Sequence, residues 1–411
     1  MPFAEAPCER SSTPVHWVRP QFVAECNFAE WTDEHLVRQA SFVSLRRDKP
    51  ARQIVEEVPR KGAAVEHESP TTGNAAPKTR AKKTAAKIST KTSVKTTRKT
   101  TTKTATKTTS ETAASTTVAG VRISHPSRVI DKETQTSKLD LVRYYASVAD
   151  RILPHLRDRP VALVRAPEGI GGELFFQKHS QKLAIPHVEQ HPDLDPGHEP
   201  LITIESIEAL VGAAQMGTIE LHTWNAVTAN IEKPDRMVFD LDPDPALGWD
   251  RMIEAAQLTR ALLDELGLVS FCKTSGGRGL HVVVPLVKHA GWDDVKAFSQ
   301  AVAQHMAATL PEHFSAKMGA RNRRRKIFVD YLRNGRGSST VAAYSARARP
   351  GLGVSVPLAW NELERTRGGD QWTIANLHER LELLKRDPWA GYAKTRQRIT
   401  AEMRKRLGMA P

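Results

Sequence analysis

Cysteine is nearly missing from these 411 residues: Cys8, Cys26 and Cys272 form no C-x-x-C pair and no disulfide framework. That fits a reducing cytoplasm and argues against a structural zinc site. No apolar run approaches the roughly 18 residues that a membrane helix needs, and no signal-peptide core is present. A soluble, intracellular protein with no membrane partner is therefore expected. No G-K-[ST] loop occurs, which excludes a Walker-type phosphate site. Acidic residues are absent between Glu68 and Glu111.

What is present is an uneven excess of positive charge. The net charge is +14. Residues 61–120 alone hold 12 basic and 3 acidic residues, a net +9, whereas residues 1–60 sum to −1. A polyanionic partner is implied, nucleic acid or a charged surface. With 40 % hydrophobic residues, the chain has enough apolar material for a sizeable core, and its length suits two or three domains.

Four segments are expected. In residues 61–120, built from Lys, Thr, Ala and Ser, a lysine recurs every fourth position from Lys83 to Lys107. As a helix this would stack like charges at i, i+4, and its threonines also disfavour helix. The segment reads as a disordered linker, either a histone-like tail that holds phosphates or a solubilising spacer. Residues 1–60 contain an alternating, strand-like run, Phe22–Trp31. Residues 121–390 form the main globular unit, and 391–411 a helical tail. Helices are expected at Ser137–Leu156, with Ser137 as N-cap, and at Glu205–Met216, Arg251–Gly267 and Asp293–Leu310. Strands are expected at Val161–Arg165, Phe271–Thr274, His281–Leu286 and Ile327–Leu332. Without a regular βαβ beat, the class is α+β with a mixed or antiparallel sheet.

The chemistry centres on Phe239-Asp240-Leu241-Asp242-Pro243-Asp244. On a strand, Asp240 and Asp242 point to one face, where two carboxylates repel unless a cation lies between them. A solvated turn is the bland alternative, and Asp244, beyond Pro243, fits that description. Asp330, after Ile327-Phe328-Val329, is a third acid in a similar setting. Lys273-Thr274-Ser275-Gly276-Gly277-Arg278-Gly279-Leu280-His281 lies between two strands. It is either a plain glycine hairpin or an anion cradle with Ser275, Arg278 and His281 as donors. Arg323 belongs to a basic run, Asn322–Lys326, whose plain reading is a solvated charged face, and Arg347 to a downstream run, Tyr344–Arg349, that supplies further guanidinium groups. Phe175 and Phe176 sit among cations. Neighbours on a strand face opposite ways, so one is expected in the core and the other is free to stack on a base.

The strings FDLDPDP, KTSGGRGLHVVVPL, FVDYLRNGRG and AAYSARARPG, in this order, resemble the polymerase domain of bacterial ATP-dependent DNA ligase D. That domain is a member of the archaeo-eukaryotic primase superfamily. The likeness runs from about Val121 to about Leu384. It implies a primase-polymerase-like nucleotidyltransferase in non-homologous end joining, filling gaps and adding nucleotides (NTP or dNTP) at DNA ends. Asp240, Asp242 and Asp330 would be catalytic and hold two divalent ions, Mn2+ preferred or else Mg2+. Ser275, Arg278, His281, His222, Arg323, Arg347, Phe175 and Phe176 would bind the nucleotide. His125, Arg128 and Lys138 would bind a DNA 5′-phosphate. Arg278 stands where the family usually has Lys, His125 where it has Asn, and Ala320 where a lysine is common. Ku and a separate ligase are the protein partners that the likeness brings into view, and the bacterial cytoplasm, beside the nucleoid, is the location.

Residues 15–57 resemble the last strands of a ligase OB-fold domain, closed by Leu45–Pro50. The adenylated-lysine motif K-x-D-G is absent, so this part reads as a remnant without ligase activity. The alternative to a polymerase is a non-catalytic module that bridges DNA ends through their 5′-phosphates.

Overall fold

The computed structural model describes residues 23–27, 30–31, 37–38, 41–46, 116–180 and 185–409. The chain divides into two compact units between Ser110 and Glu111. In the first, Val23–Asn27 pairs antiparallel with Ser41–Arg46, with a bulge between Glu25 and Cys26. A shorter antiparallel pair joins Glu30–Trp31 to Val37–Arg38. The lysine-rich segment up to residue 115, and the ligase-like motif beyond Arg46, lie outside the described residues.

The second unit is α+β with two sheets. One is four-stranded and antiparallel. It contains β1 (Val161–Arg165), β2 (Phe175–Gln177), β3 (Thr218–Thr223) and, from far downstream, β9 (Thr340–Val341), in the order β2-β1-β3-β9. Helices α1 (Lys138–Ser147), α2 (Ala149–Leu156) and α3 (Ile207–Gln215) share its core through Leu141, Ile152, Leu163, Leu210 and Leu221. Ser137 caps α1 reciprocally: its hydroxyl accepts from the Asp140 N–H, and its own N–H donates to the Asp140 carboxylate. The single helix expected over Ser137–Leu156 is two. Val148, at the junction, has φ −103° and ψ 9°, and Pro154 supplies no donor to the second ladder.

The other sheet has six strands: β7 (Phe314–Ser315), β8 (Ile327–Asp330), β4 (Arg236–Pro243), β6 (Leu280–Pro285), β5 (Phe271–Thr274) and β10 (Pro357–Leu358), in that order. All pairings are antiparallel except β7 with β8. Met237, Phe239 and Leu241 of β4 point to one face, with Cys272, Leu280, Val282, Ile327 and Val329, into a core shared with α4 (Trp249–Glu265) and α5 (Trp292–Thr309). The period-two rule then sends Asp240 and Asp242 to the other face, together with His281, Lys273 and Asp330. Burying the odd-numbered apolar residues is what aims the acids.

α4 ends as its sequence suggests. Gly267 has φ +78°, and the N–H groups of Gly267 and Leu268 return to the carbonyls of Asp264 and Leu263, at 2.9 and 2.8 Å. After Asp330 the chain turns through Leu332–Asn334, and Asn334 takes over the pairing with β4: its side chain bonds both the N–H and the C=O of Val238, each at 2.8 Å. In the C-terminal segment, α7 (Ala401–Arg406) packs on the second core through its own Met403 and through Leu407 just beyond it; α6 is the short helix Leu377–Leu383. Among the described residues no helix is long and apolar enough to cross a membrane.

Candidate active site

Cross-strand register assembles the site. Asp240, in the middle of the sheet, faces Asp330 on β8 and His281 on β6, and His281 in turn faces Lys273 on β5. Four ionisable side chains thus form one row across four strands, and Asp242 stands two residues along β4. His281 Nε2 lies 3.2 Å from Asp240 Oδ1, and His281 Nδ1 lies 3.1 Å from Lys273 Nζ. Lys273 Nζ also donates to Ser355 Oγ at 2.7 Å, because the Ser355 hydroxyl proton goes to the Thr274 carbonyl. An ionised carboxylate only accepts, so the ring proton sits on Nε2, facing Asp240, and His281 Nδ1 is left to accept from Lys273.

The electrostatics of the row follow from burial. Burial holds the Lys273 ammonium well below the usual lysine range, against the pull of Asp240. Burial, with Lys273, pushes the His281 imidazole down to about 4, so the ring is neutral near pH 7. Burial alone would raise the Asp240 carboxyl, but His281, Arg333 and Arg347 outweigh it and keep that group strongly acidic. Asp242 moves the other way, raised by burial and by Asp240 beside it. Two carboxylates forced apart in this manner are a pair that a cation would relieve.

Guanidinium groups surround the acids. Arg323 bonds Asp242, and Arg333 Nε lies 3.1 Å from Asp330 and 3.9 Å from Asp240. A cleft of about 340 Å³ opens here, lined by Asp240, Asp242, Ser275, His281 and five arginines: Arg278, Arg323, Arg333, Arg347 and Arg349. Such a lining suits a polyanion. Asp244 is apart from it: its carboxylate accepts from the Ala246 N–H at 2.8 Å and closes the turn.

The glycine loop is braced from inside. Ser275 Oγ accepts from the N–H groups of Gly277 and Gly279 at 3.2 and 3.1 Å, and Arg347 Nη1 donates to the Ser275 carbonyl at 2.8 Å. Arg278 is the exposed side chain of the loop. Gly276 has φ +69°, and a Cβ there would meet Arg347 Cγ at 2.7 Å and the Val354 carbonyl carbon at 2.9 Å. Gly276→Ala is expected to cost about 1–3 kcal/mol in backbone strain and to displace Arg347. Thermal unfolding and nucleotide affinity should both weaken, and an unchanged nucleotide affinity would refute the brace.

His222 reaches the cleft through Glu220. Glu220 Oε2 is 2.6 Å from His222 Nε2, and Oε1 accepts from the Ala348 N–H at 2.8 Å. Arg347 Nε is 3.0 Å from Glu220 Oε2, an ion pair without hydrogen-bond alignment. Burial raises the Glu220 carboxyl, but His222 and Arg347 prevail and bring it down from 4.5 to about 2. A depressed carboxylate stabilises the fold above its unfolded value and loses that contribution as pH falls. The melting-temperature gap between the parent and Glu220→Gln should therefore be full above pH 4.5 and close as pH falls toward 2. A gap that ignores pH would exclude the ion pair as its source.

Phe175 and Phe176 are 48 % and 52 % exposed, so neither enters the core. The expectation of one buried ring fails because β2 is an edge strand whose buried residue is Gln177, held by Arg165 at 3.0 Å. Phe176 meets the His222 ring edge-on at 6.0 Å, which leaves an aromatic surface beside the cleft. The remaining expected residues gather at the start of α1. Lys138 is buried, its ammonium donating to the Ser124 carbonyl at 2.7 Å. Burial and the charge of Arg128 push it down to about 8. Arg128 Nε is buried without a hydrogen-bond partner, and His125 is exposed at φ +50°. Two cations thus lie together here, Lys138 held by Ser124 and Arg128 with one unused donor, Nε.

Lys273, Glu220, Arg333 and Arg349 were not singled out from sequence. The signals were there for two of them: a lysine inside the apolar strand Phe271–Thr274, and the spacing Glu220-x-His222, which puts both on one strand face.

The chain is similar to several known proteins. The family model of the LigD primase-polymerase domain matches residues 137–389, and that of the ATP-dependent DNA ligase C-terminal region matches residues 1–49. The chain is 52 % identical over 409 residues to the multifunctional non-homologous end joining protein LigD of Pseudomonas aeruginosa, covering 99 % of this chain and 44 % of that one. It is 32 % identical over 249 residues to the protein of the same description from Mycolicibacterium smegmatis, covering 59 % and 32 %. The solved polymerase domain of Mycobacterium tuberculosis ligase D in complex with DNA superposes with a TM-score of 0.60 at 28 % identity, covering 66 % of this chain and 98 % of that one. The chain spans less than half the length of these curated relatives.

Proposed function

The chain belongs to the LigD primase-polymerase family, and on that premise we propose that it is a nucleotidyltransferase of non-homologous end joining, extending a primer 3′-hydroxyl by gap filling and terminal addition. The observation that carries this reading is the register of β8, β4 and β6, with Asp330 and His281 on either side of Asp240 beside an arginine-lined cleft. The donor set Asp240, Asp242 and Asp330 is all oxygen, which suits Mn2+ or Mg2+. Two such ions, manganese preferred, would activate the 3′-hydroxyl and neutralise the leaving pyrophosphate.

The chain's own residues do the rest. Arg278, Arg323 and Arg347 grip the triphosphate of an NTP or dNTP, and the neutral His281 lines the cleft beneath it while its Nε2 proton holds Asp240 in place. Ser275 holds the loop in shape for that contact. Phe175 and Phe176 present ring faces to a base, with His222 beside them. Arg128 and Lys138, with His125, take the 5′-phosphate on the far side of a gap. Ku and a ligase are proposed as partners in the bacterial cytoplasm. The ligase-like N-terminal part, which lacks K-x-D-G, is proposed to have no ligation activity of its own.

The direct test is nucleotide addition to a gapped duplex, with and without a 5′-phosphate, in Mn2+ or Mg2+. Addition stimulated by the phosphate is the expected result. Tight phosphate-dependent binding with no addition in either ion would replace this reading with a non-catalytic end-bridging module.

A further inference from the structure

The long connection between β2 and the strand Leu201–Thr203, which includes a short strand, Glu189–His191, paired with it, carries a cluster that takes no part in the cleft. His179 lies two residues beyond the end of β2, and Asp195 and His198 lie near the loop's far end. His179 Nε2 is 2.8 Å from Asp195 Oδ2, and His198 Nδ1 is 3.3 Å from the same oxygen. The two rings are stacked, with centroids 5.1 Å apart and planes within 7°. All three ligand atoms lie within 4.8 Å of one another, and among the described residues this is the His/Cys/Asp/Glu group that converges so closely. We propose that His179, Asp195 and His198 bind a borderline transition-metal ion, zinc above all, with the fourth position left to water.

The dimensions suit it. Four-coordinate zinc with ligands at roughly 2.0–2.1 Å has ligand-to-ligand edges of about 3.4 Å. The separations of 2.8 and 3.3 Å need to open by about 0.6 and about 0.1 Å, and the two imidazole nitrogens, within 4.8 Å of each other, need to settle to the same edge, which two side-chain rotations supply. Without an ion, each imidazole must direct an N–H at one shared carboxylate oxygen; the ion replaces both protons. The second carboxylate oxygen is already oriented: Asp195 Oδ1 accepts from Arg336 at 2.8 Å, as outer partners of metal-bound carboxylates do. Arg336 is in turn paired with Glu232 at 2.9 Å and lies over the Trp224 ring, so its charge is balanced rather than turned on the ion.

Two imidazoles and one carboxylate are a softer set than the all-oxygen row of Asp240, Asp242 and Asp330, so the two sites select different ions. No thiolate is involved, and the scarcity of cysteine does not bear on it. The ion would clip the two ends of the loop together. Because His179 directly follows the strand of Phe175 and Phe176, the clip would also steady that aromatic edge. This site is independent of the proposed polymerase activity.

The test uses the full chain carrying Asp240→Asn and Asp242→Asn, which silences the acid row, titrated with Zn2+ alone and with Co2+ alone. One equivalent of zinc should be retained through dialysis, cobalt should give the visible bands of a four-coordinate nitrogen-oxygen site, and zinc should raise the melting temperature. His198→Ala, at a 57 % exposed side chain, should lower zinc affinity by more than about 100-fold, beyond the range of an outer partner, without unfolding the chain. The unaltered chain in millimolar Mg2+ should give the same stoichiometry. No retained zinc in either background, or binding indifferent to His198→Ala and Asp195→Asn, would overturn the site and leave a hydrogen-bonded clasp.

Discussion

Asp240→Asn is expected to reduce Mn2+-dependent primer extension by more than about 100-fold, beyond the 10- to 100-fold typical of outer-sphere metal partners. The substitution keeps the shape of the side chain and removes its charge. An asparagine oxygen can still accept from His281 Nε2, so a role limited to that 3.2 Å contact would survive the change. What does not survive is the paired negative charge that a divalent ion needs. The fold should tolerate the substitution: Asp240 raises Asp242 by repulsion, and that strain is relieved. Single-turnover extension and thermal unfolding, measured together, separate the two. Extension within a few-fold of the parent would end the two-metal proposal.

The second large effect is expected at the start of α1. Lys138→Met should reduce the preference for a 5′-phosphorylated gap by about 10- to 100-fold, the range of a charge-assisted hydrogen bond of about 1.5–3 kcal/mol. Binding of gapped duplexes with and without the phosphate, compared by fluorescence anisotropy, isolates that term from chemistry. The same preference should decline in the parent as pH rises through about 8, where the ammonium deprotonates, and Arg128 should retain a remainder. The stability sign is opposite. A lysine whose folded value is depressed destabilises the fold while it is charged, and that cost fades as pH climbs from about 8 toward 10.5. Phosphate recognition and folding therefore pull this residue in different directions. A phosphate preference flat from pH 7 to 9 would remove Lys138 from the site.

The sequence showed the acids and not their neighbours. Asp240 and Asp242 are legible because period two and a local apolar run are both short-range facts. That Asp330 lies opposite Asp240 depends on pairing across 90 residues of chain, which no local pattern encodes. Lys273 looked like the edge of a glycine loop. Its burial comes from β10 and Ser355, 82 residues downstream. The two phenylalanines failed for a related reason: alternation says which faces exist, but not that both faces of the edge strand β2 are left open at Phe175 and Phe176. The helices fared better, since caps at Ser137, Ser206 and Gly267 are local, but the break at Val148 was missed.

The row Asp330–Asp240–His281–Lys273 also limits how this protein can change length. Losing or gaining one residue inside Arg236–Pro243 would turn every side chain beyond it to the opposite face. Asp240 and Asp242 would exchange places with Phe239 and Leu241, putting carboxylates into the core and apolar groups into the cleft. β8 and β6, which flank β4, carry the same constraint. Insertions and deletions compatible with activity must then fall in the connections, such as the turn after Pro243 or the one between α4 and β5. A library of single-codon deletions would trace the row as an unbroken intolerant block on four strands, with tolerance returning at each turn.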